Sequence, residues 1–132
     1  MLPNSKTILS LFKANKFNEA LDILDKSKNE NENKYIFYFY RGIANLKLNK
    51  FSEAKEDFNK GITLNSKSPE IYSNLGILNY KIGKNEQAIE NFIKSINLNS
   101  NSNQSTSGLI NVLSHTEHCE KNNSDIVLTH NK

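Results

Sequence analysis

Two histidines and a cysteine near the end of the chain are the residues best suited to bind a transition metal. His118 and Cys119 follow His115 by three and four residues, so a helix would bring all three side chains near one face. Zinc accepts imidazole and thiolate ligands, but a structural zinc site takes four ligands, and no fourth is evident unless His130 folds back. We therefore expect no metal and interpret the cluster as a solvated polar face of a terminal helix.

The other reactive side chains also lack the arrangement that catalysis needs. Nothing near the single cysteine supplies an oxyanion hole, and the five glycines are isolated, so no phosphate-binding loop is present. Carboxylate pairs such as Glu56 with Asp57, and Glu86 with Glu90, are expected on outward helix faces. We expect no catalytic residues and no cofactor. Because Cys119 is the only cysteine, an intrachain disulfide is excluded.

Lysines recur at a fixed interval of 34 residues. Two sets share this interval: Lys13, Lys47, Lys81 and Lys16, Lys50, Lys84. One interpretation is that they offset the negative ends of helix dipoles. The other is a ladder of positive charge along a binding face, which favours an acidic peptide over a nucleic-acid backbone. The net charge of +3, from 17 basic and 14 acidic residues, is too balanced to indicate nucleic acid by itself.

The same interval appears in short phrases of the sequence. NKFNEA begins at Asn15, NKFSEA begins at Asn49, and GKNEQA begins at Gly83. When units 35–68 and 69–102 are aligned without a gap, 15 of 34 positions are identical. A period of this length is typical of stacked helical repeats. The chain therefore divides into repeats at 1–34, 35–68 and 69–102, with a remainder at 103–132.

Each unit has the apolar spacing of two helices. In the third unit, Ile71, Leu75, Leu78 and Ile82 recur at three- and four-residue steps. Ser68-Pro69-Glu70 has the composition of a helix start, with serine as the cap. Gly83 can take the left-handed conformation that ends a helix, and asparagine is the next best residue there. We predict helices near 3–14, 17–28, 35–48, 51–64, 69–82, 85–98 and 107–119, and no strands.

This pattern resembles the tetratricopeptide repeat. The third unit carries the signature aromatic, Leu-Gly, alanine and second aromatic, as Tyr72, Leu75-Gly76, Ala88 and Phe92. The second unit matches at Tyr38, Gly42, Ala54 and Phe58, but it has Arg41 in place of leucine, and no unit has the terminal proline. The resemblance implies an all-α solenoid of stacked antiparallel helix pairs. The small residues would allow close helix contact, and the phenylalanines would fill the space between pairs.

The remainder is predicted to be a linker, a capping helix and a tail. NSNQSTS has the composition of a polar linker, and GLINVLSHTEHCE reads as an amphipathic helix that closes the array. KNNSD is expected to break this helix. The final IVLTHNK could be a fragment of a further helix, which leaves open whether the chain is truncated from a longer protein.

The resemblance also implies a site, because leading helices in this family line a concave groove that receives a peptide. The corresponding positions in the second and third units are Ile36, Phe39, Tyr40, Ile43, Lys47, Asn74, Ile77, Tyr80 and Lys81. In the first unit the corresponding positions are Ser5, Lys6, Leu9, Phe12 and Lys13. One subclass grips the carboxylate of chaperone tails with lysines, asparagines and an arginine, at places that are here Ser5, Leu9, Tyr40, Glu70 and Asn74. These places supply no cation, so a chaperone-tail cochaperone is disfavoured.

We therefore expect a non-enzymatic scaffold that binds a protein or peptide, apolar with acidic flanks. The alternative is the repeat arm of a larger enzyme, such as a transferase or an oxygenase, of which this chain would be a fragment. Nucleic-acid binding through the lysines is a third and less favoured function. The N-terminus lacks a signal-peptide pattern and no window is apolar enough for a membrane span, so we expect a cytoplasmic protein.

Overall fold

The chain folds as a stack of helix pairs, according to a computed structural model. The structure describes the backbone of residues 5–130 and the side chains of residues 5–116. Within that part the chain is helical and contains no strand, so the prediction of an all-α solenoid is confirmed. The helices are α1 (Ser5–Lys13), α2 (Phe17–Lys26), α3 (Lys28–Asn31), α4 (Tyr35–Lys47), α5 (Phe51–Leu64), α6 (Pro69–Lys81), α7 (Asn85–Leu98) and α8 (Asn103–His130).

The repeated turn phrase ends the first helix of each pair in the same way. Asn15, Asn49 and Gly83 have φ values of 58°, 60° and 84°, which confirms the left-handed conformation predicted there. In the second pair, the Asn49 N–H donates to the Leu46 carbonyl at 3.1 Å and the Lys50 N–H donates to the Asn45 carbonyl at 2.8 Å. This pair of bonds is a Schellman motif, which satisfies helix-end carbonyls and turns the chain back for the next helix.

Small residues set the distance between the two helices of a pair. Ala54 and Ala88 are completely buried. A Cβ atom added to Gly42 would lie 2.5 Å from a ring carbon of Phe58, and one added to Gly76 would lie 2.5 Å from a ring carbon of Phe92. A Cβ on Gly108 of α8 would meet Phe92 at the same distance of 2.5 Å. Phe92 therefore packs against its own pair and against α8, as the repeat pattern predicted.

The core is a thin continuous layer made of three apolar clusters. The first includes Ile8, Leu24 and Phe37, the second includes Phe58 and Ile71, and the third includes Phe92 and Val112. Phe39 packs against the first and second clusters, and Ile77 packs against the second and third. Each helix pair thus shares apolar contacts with its neighbours, which is how a stack of repeats is stabilised.

The last helix differs from the prediction at both ends. α8 begins at Asn103 instead of near residue 107 and continues to His130 instead of ending near 119. Most of the predicted linker NSNQSTS, from Asn103 onward, is part of this helix, because the Ser102 hydroxyl accepts the Ser105 N–H at 3.4 Å and the Ser105 hydroxyl donates to the Ser95 hydroxyl at 2.6 Å. KNNSD was expected to break the helix, but it contains neither proline nor glycine, the residues most unfavourable in a helix interior.

Two further details differ from expectation. A short helix, α3, lies between the first and second pairs, where no helix was predicted. Ser68 occupies the N-cap position of α6, but its side chain makes no capping bond and its hydroxyl bonds the Glu70 carboxylate at 3.1 Å instead. In the described part of the chain, no helix has the length and apolar character required to cross a membrane.

Candidate functional site

The nine positions predicted to bind a peptide lie on α4 and α6, and we call the surface they form the leading-helix face. The two helices contact each other, so their residues lie on adjoining parts of the stack. The nine positions differ in exposure. Lys47, Tyr80 and Lys81 are exposed, Ile36, Phe39, Ile43 and Ile77 are half-buried, and Tyr40 and Asn74 are buried.

Tyr40 and Asn74 contribute to the interior more than to an open surface. Tyr40 is 9% exposed, and its ring meets Phe12 of α1 edge-on at a centroid distance of 6.1 Å. The Asn74 amide donates to the Glu70 carbonyl one turn earlier at 2.8 Å. Both side chains are therefore occupied by contacts within the fold. Phe39, next to Tyr40, is half-buried, and its ring lies at a centroid distance of 5.7 Å from the Tyr40 ring.

Tyr80 is the most exposed aromatic residue of the leading-helix face. It is 37% exposed, and its ring lies edge-on to the His115 ring of α8 at a centroid distance of 6.4 Å. This contact orients the tyrosine between α6 and α8. Since a tyrosine has only two side-chain torsions and a large amphipathic ring, such a residue makes an effective binding contact at low entropic cost.

His115 is the one member of the His115, His118 and Cys119 cluster whose side chain the structure describes. His118 and Cys119 lie outside the described side chains. Over residues 5–116, no group of three histidine, cysteine, aspartate or glutamate side chains is placed to hold a metal ion. The described role of His115 is its ring contact with Tyr80.

Three lysines follow the leading helices at the 34-residue interval. Lys13 lies in the last turn of α1, Lys47 in that of α4 and Lys81 in that of α6, and all three are exposed. Among the described side chains, none of the three forms an ion pair. Their ammonium groups are thus available to an external anion, in addition to any favourable effect on the helix dipole.

A buried polar network on another side of α4 was not predicted from the sequence. The Arg41 guanidinium donates to one Asp57 oxygen of α5, from Nε at 3.0 Å and from a terminal nitrogen at 2.7 Å. The Asn45 amide donates to the other Asp57 oxygen at 2.8 Å. A further bond of 3.4 Å joins Arg41 to Asp25 of α2. The network therefore links α2, α4 and α5.

The sequence contained a signal for this network. Arg41 stands where the third unit has Leu75, and Asp57 stands where it has Asn91, so two charges of opposite sign appear together in one unit. The Arg41 guanidinium also lies over the Phe37 ring at 4.9 Å. Where the family has leucine, the second unit therefore has an arginine that forms an ion pair and lies over an aromatic ring.

Burial and ion pairing both shift the pKa values of this network. Burial raises the pKa of the Asp57 carboxyl above its ordinary value, and hydrogen bonds from Arg41 and Asn45 only partly offset that effect. Burial alone would lower the pKa of Arg41, but its hydrogen bond to Asp57 and the attraction of that carboxylate outweigh it and raise this pKa. A cavity of about 270 Å³ adjoins the network and is also lined by Leu21 and Lys50. Because its polar groups bond one another, we interpret the network as structural.

Comparison with known families identifies the repeat. A TPR repeat model matches residues 42–83, and a tetratricopeptide repeat model matches residues 69–102. These matches fall on the two units in which the sequence pattern is clearest. Together with the fold, they show that residues 42–102 consist of tetratricopeptide repeats.

Solved structures of the same fold include peptide complexes. The first TPR of Spaghetti (RPAP3), bound to the HSP90 peptide SRMEEVD, is 24% identical over 85% of this chain and 89% of that chain, with a TM-score of 0.77. The first TPR domain of human RPAP3 is also 24% identical, over 88% of this chain and 91% of that chain, with a TM-score of 0.80.

A more distant match has the same architecture. The Yersinia enterocolitica type III secretion chaperone SycD, in complex with a peptide of the translocator YopD, is 12% identical over 84% of this chain and 90% of that chain, with a TM-score of 0.73. At these identities the likeness establishes the fold. A search of curated proteins finds no match to this sequence.

Proposed function

We propose that the chain is a non-catalytic interaction module whose leading-helix face binds a segment of a partner protein. The observation that carries this proposal is the position of Tyr80, an exposed aromatic residue near half-buried Ile77 and next to Lys81, which forms no ion pair with the side chains that the structure describes. Two of the structures with this fold are complexes with peptides, which supports the same kind of ligand here.

The chemistry of the face indicates the kind of segment. Phe39, Ile43, Ile77 and Tyr80 offer apolar and aromatic contact, and lysines stand beside them on α4 and α6. Aromatic anchors carry much of the energy in interfaces, whereas exposed charges act more on association rate and partner choice. We therefore propose a ligand with bulky apolar residues and nearby acids, bound with a dissociation constant of about 1 μM.

A chaperone-tail mode is not part of the proposal. The places that hold the lysines, asparagines and arginine of that subclass are here Ser5, Leu9, Tyr40, Glu70 and Asn74, none of which is a cation. Glu70 is exposed and would repel a terminal carboxylate, and Tyr40 and Asn74 are buried. The acidic groups of a ligand would instead meet Lys47 and Lys81, at the carboxyl ends of the leading helices.

Selection from a peptide library, followed by calorimetry, tests this function. The full chain is immobilised, a random-peptide library is screened, and the tightest peptide is titrated into wild type and two variants. Tyr80→Ala is expected to weaken binding by more than about 1 kcal/mol, because it removes an interface aromatic. Ile93→Ala is the matched control, since Ile93 is 44% exposed but lies on α7.

Further variants separate this function from nucleic-acid binding. Lys81→Ala is expected to weaken peptide binding less than Tyr80→Ala does, and by a smaller amount at high salt, because exposed charges are screened. Equal losses in Tyr80→Ala and Ile93→Ala would contradict the proposed face. Failure to select any peptide, combined with salt-sensitive binding of an oligonucleotide, would replace the peptide function with a nucleic-acid function.

A further inference from the structure

The terminal helix α8 occupies the position of a fourth leading helix. Where the third pair packs on the second, Ile71 of α6 lies over Gly61 of α5, at 2.8 Å from the place of a Cβ atom on that glycine. The residues 34 positions later, Ser105 and Ser95, bond each other through their hydroxyls at 2.6 Å. α8 therefore packs on α7 in the register in which α6 packs on α5, so equivalent positions can be compared between junctions.

The first junction of the stack shows which positions meet between successive pairs. Leu21 and Asp25 of α2 line one cavity together with Arg41 and Asn45 of α4. Residues of α5, the second helix of the following pair, complete the lining of this cavity. These four positions, of which only Leu21 is apolar, thus lie beside the second helix of the following pair.

At the end of the stack the same four positions are all apolar. They lie 68 residues later on α7 and α8, and they are Ile89, Ile93, Leu109 and Leu113. Ile89 and Leu109 pack against the third apolar cluster, whereas Ile93 is 44% exposed and Leu113 is 43% exposed. Ile110, next to Leu109, is 57% exposed. We call these five residues the terminal apolar face.

The chain does not cover this face with a second helix of its own within the described backbone. The leading helices α4 and α6 are followed by turn residues, Asn49 and Gly83, which reverse the chain for the next helix. The corresponding position in α8 is Glu117, and the helix continues through it to His130. The face therefore stays exposed, although the last unit of a stack ordinarily presents a polar surface to solvent.

Ile110 is incompatible with the helix that an ordinary fourth repeat would add. Gly42 and Gly76 hold this position in the second and third units. A Cβ atom on either glycine would lie 2.5 Å from the ring of Phe58 or Phe92 in the second helix of the pair. An isoleucine leaves no room for such a ring, so the helix that covers this face is not built like α5 or α7. This favours a helix from another protein over a further repeat.

Two acids at the edge of the face indicate the charge of its partner. Glu86 precedes Ile89 by three residues, and Glu90 precedes Ile93 by three, so each acid neighbours the face on the surface of α7. Both acids are exposed and form no ion pair among the described side chains. Like charges four residues apart on a helix repel each other, and a cation beside them relieves that cost. A basic helix complements this edge, whereas a second copy of the chain would add its own acids.

We propose that the terminal apolar face binds an amphipathic helix of a partner protein, with aliphatic residues on one side and lysine or arginine along the adjoining edge. Apolar side chains three and four residues apart on that helix contact Ile93, Ile110 and Leu113. The site is separate from the leading-helix face. Leu113 and His115 are two residues apart on α8 and point in nearly opposite directions, and His115 contacts Tyr80.

Three designed helical peptides test the proposal. The first has leucine on one face and alanine and lysine on the other, the second has the same composition with its leucines spread around the helix, and the third has glutamate in place of lysine. Each peptide is labelled, and its binding to the full chain is followed by fluorescence anisotropy at low salt. The first is expected to bind about tenfold tighter than either of the others, because it alone combines an apolar stripe with cations.

Variants of two exposed leucines locate the contact. Leu113→Ala is expected to weaken binding of the first peptide about fivefold, because it removes an apolar contact from the face. Leu64→Ala is the matched control, since Leu64 is 40% exposed on α5 and should leave binding unchanged. Because both leucines are exposed, neither variant is expected to impair folding. Equal losses in the two variants would overturn the site.

A double variant tests the acidic edge. Glu86→Gln combined with Glu90→Gln is expected to remove most of the preference for the lysine peptide over the glutamate peptide. The preference in the unaltered chain should also shrink at high salt, because exposed charges are screened. If the double variant keeps the full preference, the acidic edge does not select the partner and a basic helix is the wrong ligand.

The remaining outcomes also decide the question. Binding of none of the three peptides at about 1 mM, or equal binding of the first and second, overturns the site. A dimer of the chain in analytical ultracentrifugation that Leu113→Ala dissociates replaces the partner helix with a second copy. Competition between the first peptide and the library-selected peptide would place both on one surface and overturn a separate site. Simultaneous binding of the two peptides supports it.

Discussion

Arg41 and Asp57 are two residues at which the second repeat departs from the third. In the third repeat the same positions hold Leu75 and Asn91. The ion pair is buried: the Arg41 side chain is 17% exposed and the Asp57 side chain is 5% exposed. A buried pair is costly to break on one side only, because the remaining charge is left without a partner. We therefore expect the chain to lose stability when only one of the two residues is replaced, and to lose much less when both are replaced.

Replacing one or both members tests this coupling. Arg41→Leu is expected to destabilise the chain by about 3 kcal/mol, because it leaves the buried Asp57 carboxylate with Asn45 as its remaining partner. Arg41→Leu combined with Asp57→Asn reproduces the third repeat and is expected to recover most of that loss. Urea denaturation of the four proteins in a double-mutant cycle measures the coupling.

The pH dependence of the single variant gives a second readout. Burial already raises the pKa of Asp57, and loss of Arg41 should raise it further. A carboxyl with a raised pKa binds its proton more tightly in the folded chain, so folding gains stability as pH falls through that pKa, until about pH 3.9. Arg41→Leu should therefore lose less stability in acid than at pH 7. Additive effects with no pH dependence would refute the coupling.

At the scale of helices, local chemistry made most of the boundaries predictable. The turn residues Asn15, Asn49 and Gly83 fix the ends of three helices, and the apolar spacing between them could be read directly. α8 could not be predicted as well, because its start depends on a bond between Ser105 and Ser95 of α7, which sequence spacing does not reveal. In the apolar run GLINVL of α8, Val112 is buried whereas Ile110 and Leu113 are exposed, a difference that the run itself does not reveal.

The close contact within a helix pair yields a prediction about Ala88. Ala88→Leu is expected to cost about 1–3 kcal/mol, because the larger side chain must enter the space between α6 and α7. Gln87→Leu introduces the same side chain at the adjacent exposed position and should change the free energy of unfolding by less than about 0.5 kcal/mol. Chemical denaturation compares the two. Similar small effects in both variants would show that the repeat register is wrong.

The terminal helix carries a prediction about metal. Adding zinc or a chelator to the full chain is expected to leave the thermal midpoint unchanged, because His115 already contacts Tyr80 and no fourth ligand is evident for the cluster. A genuine zinc site would couple metal binding to folding and raise the midpoint. A stabilisation of several degrees at stoichiometric zinc would establish a site at His115, His118 and Cys119.

At the scale of the whole molecule, the stack separates structural from accessible residues. Phe58, Ile71 and Phe92 are buried in the apolar clusters of the core, whereas Tyr80 and the lysines at the ends of the leading helices are exposed. The sequence register predicted which helices would carry the face, but it did not distinguish buried Tyr40 and Asn74 from the accessible positions. That distinction depends on Phe12 of the first pair and on the bond within α6, which arise only in the folded chain.

Chemical-shift mapping by NMR tests the central claim most directly. The isotopically labelled full chain is titrated with the library-selected peptide, and backbone amide shifts are followed. If the chain is a peptide-binding module of the proposed kind, the largest shifts will lie in α4 and α6, over residues 36–47 and 70–81, and shifts in α5 and α7 will be small. Shifts concentrated in α5 and α7, or around the cavity beside Arg41, would contradict the leading-helix face as the binding surface.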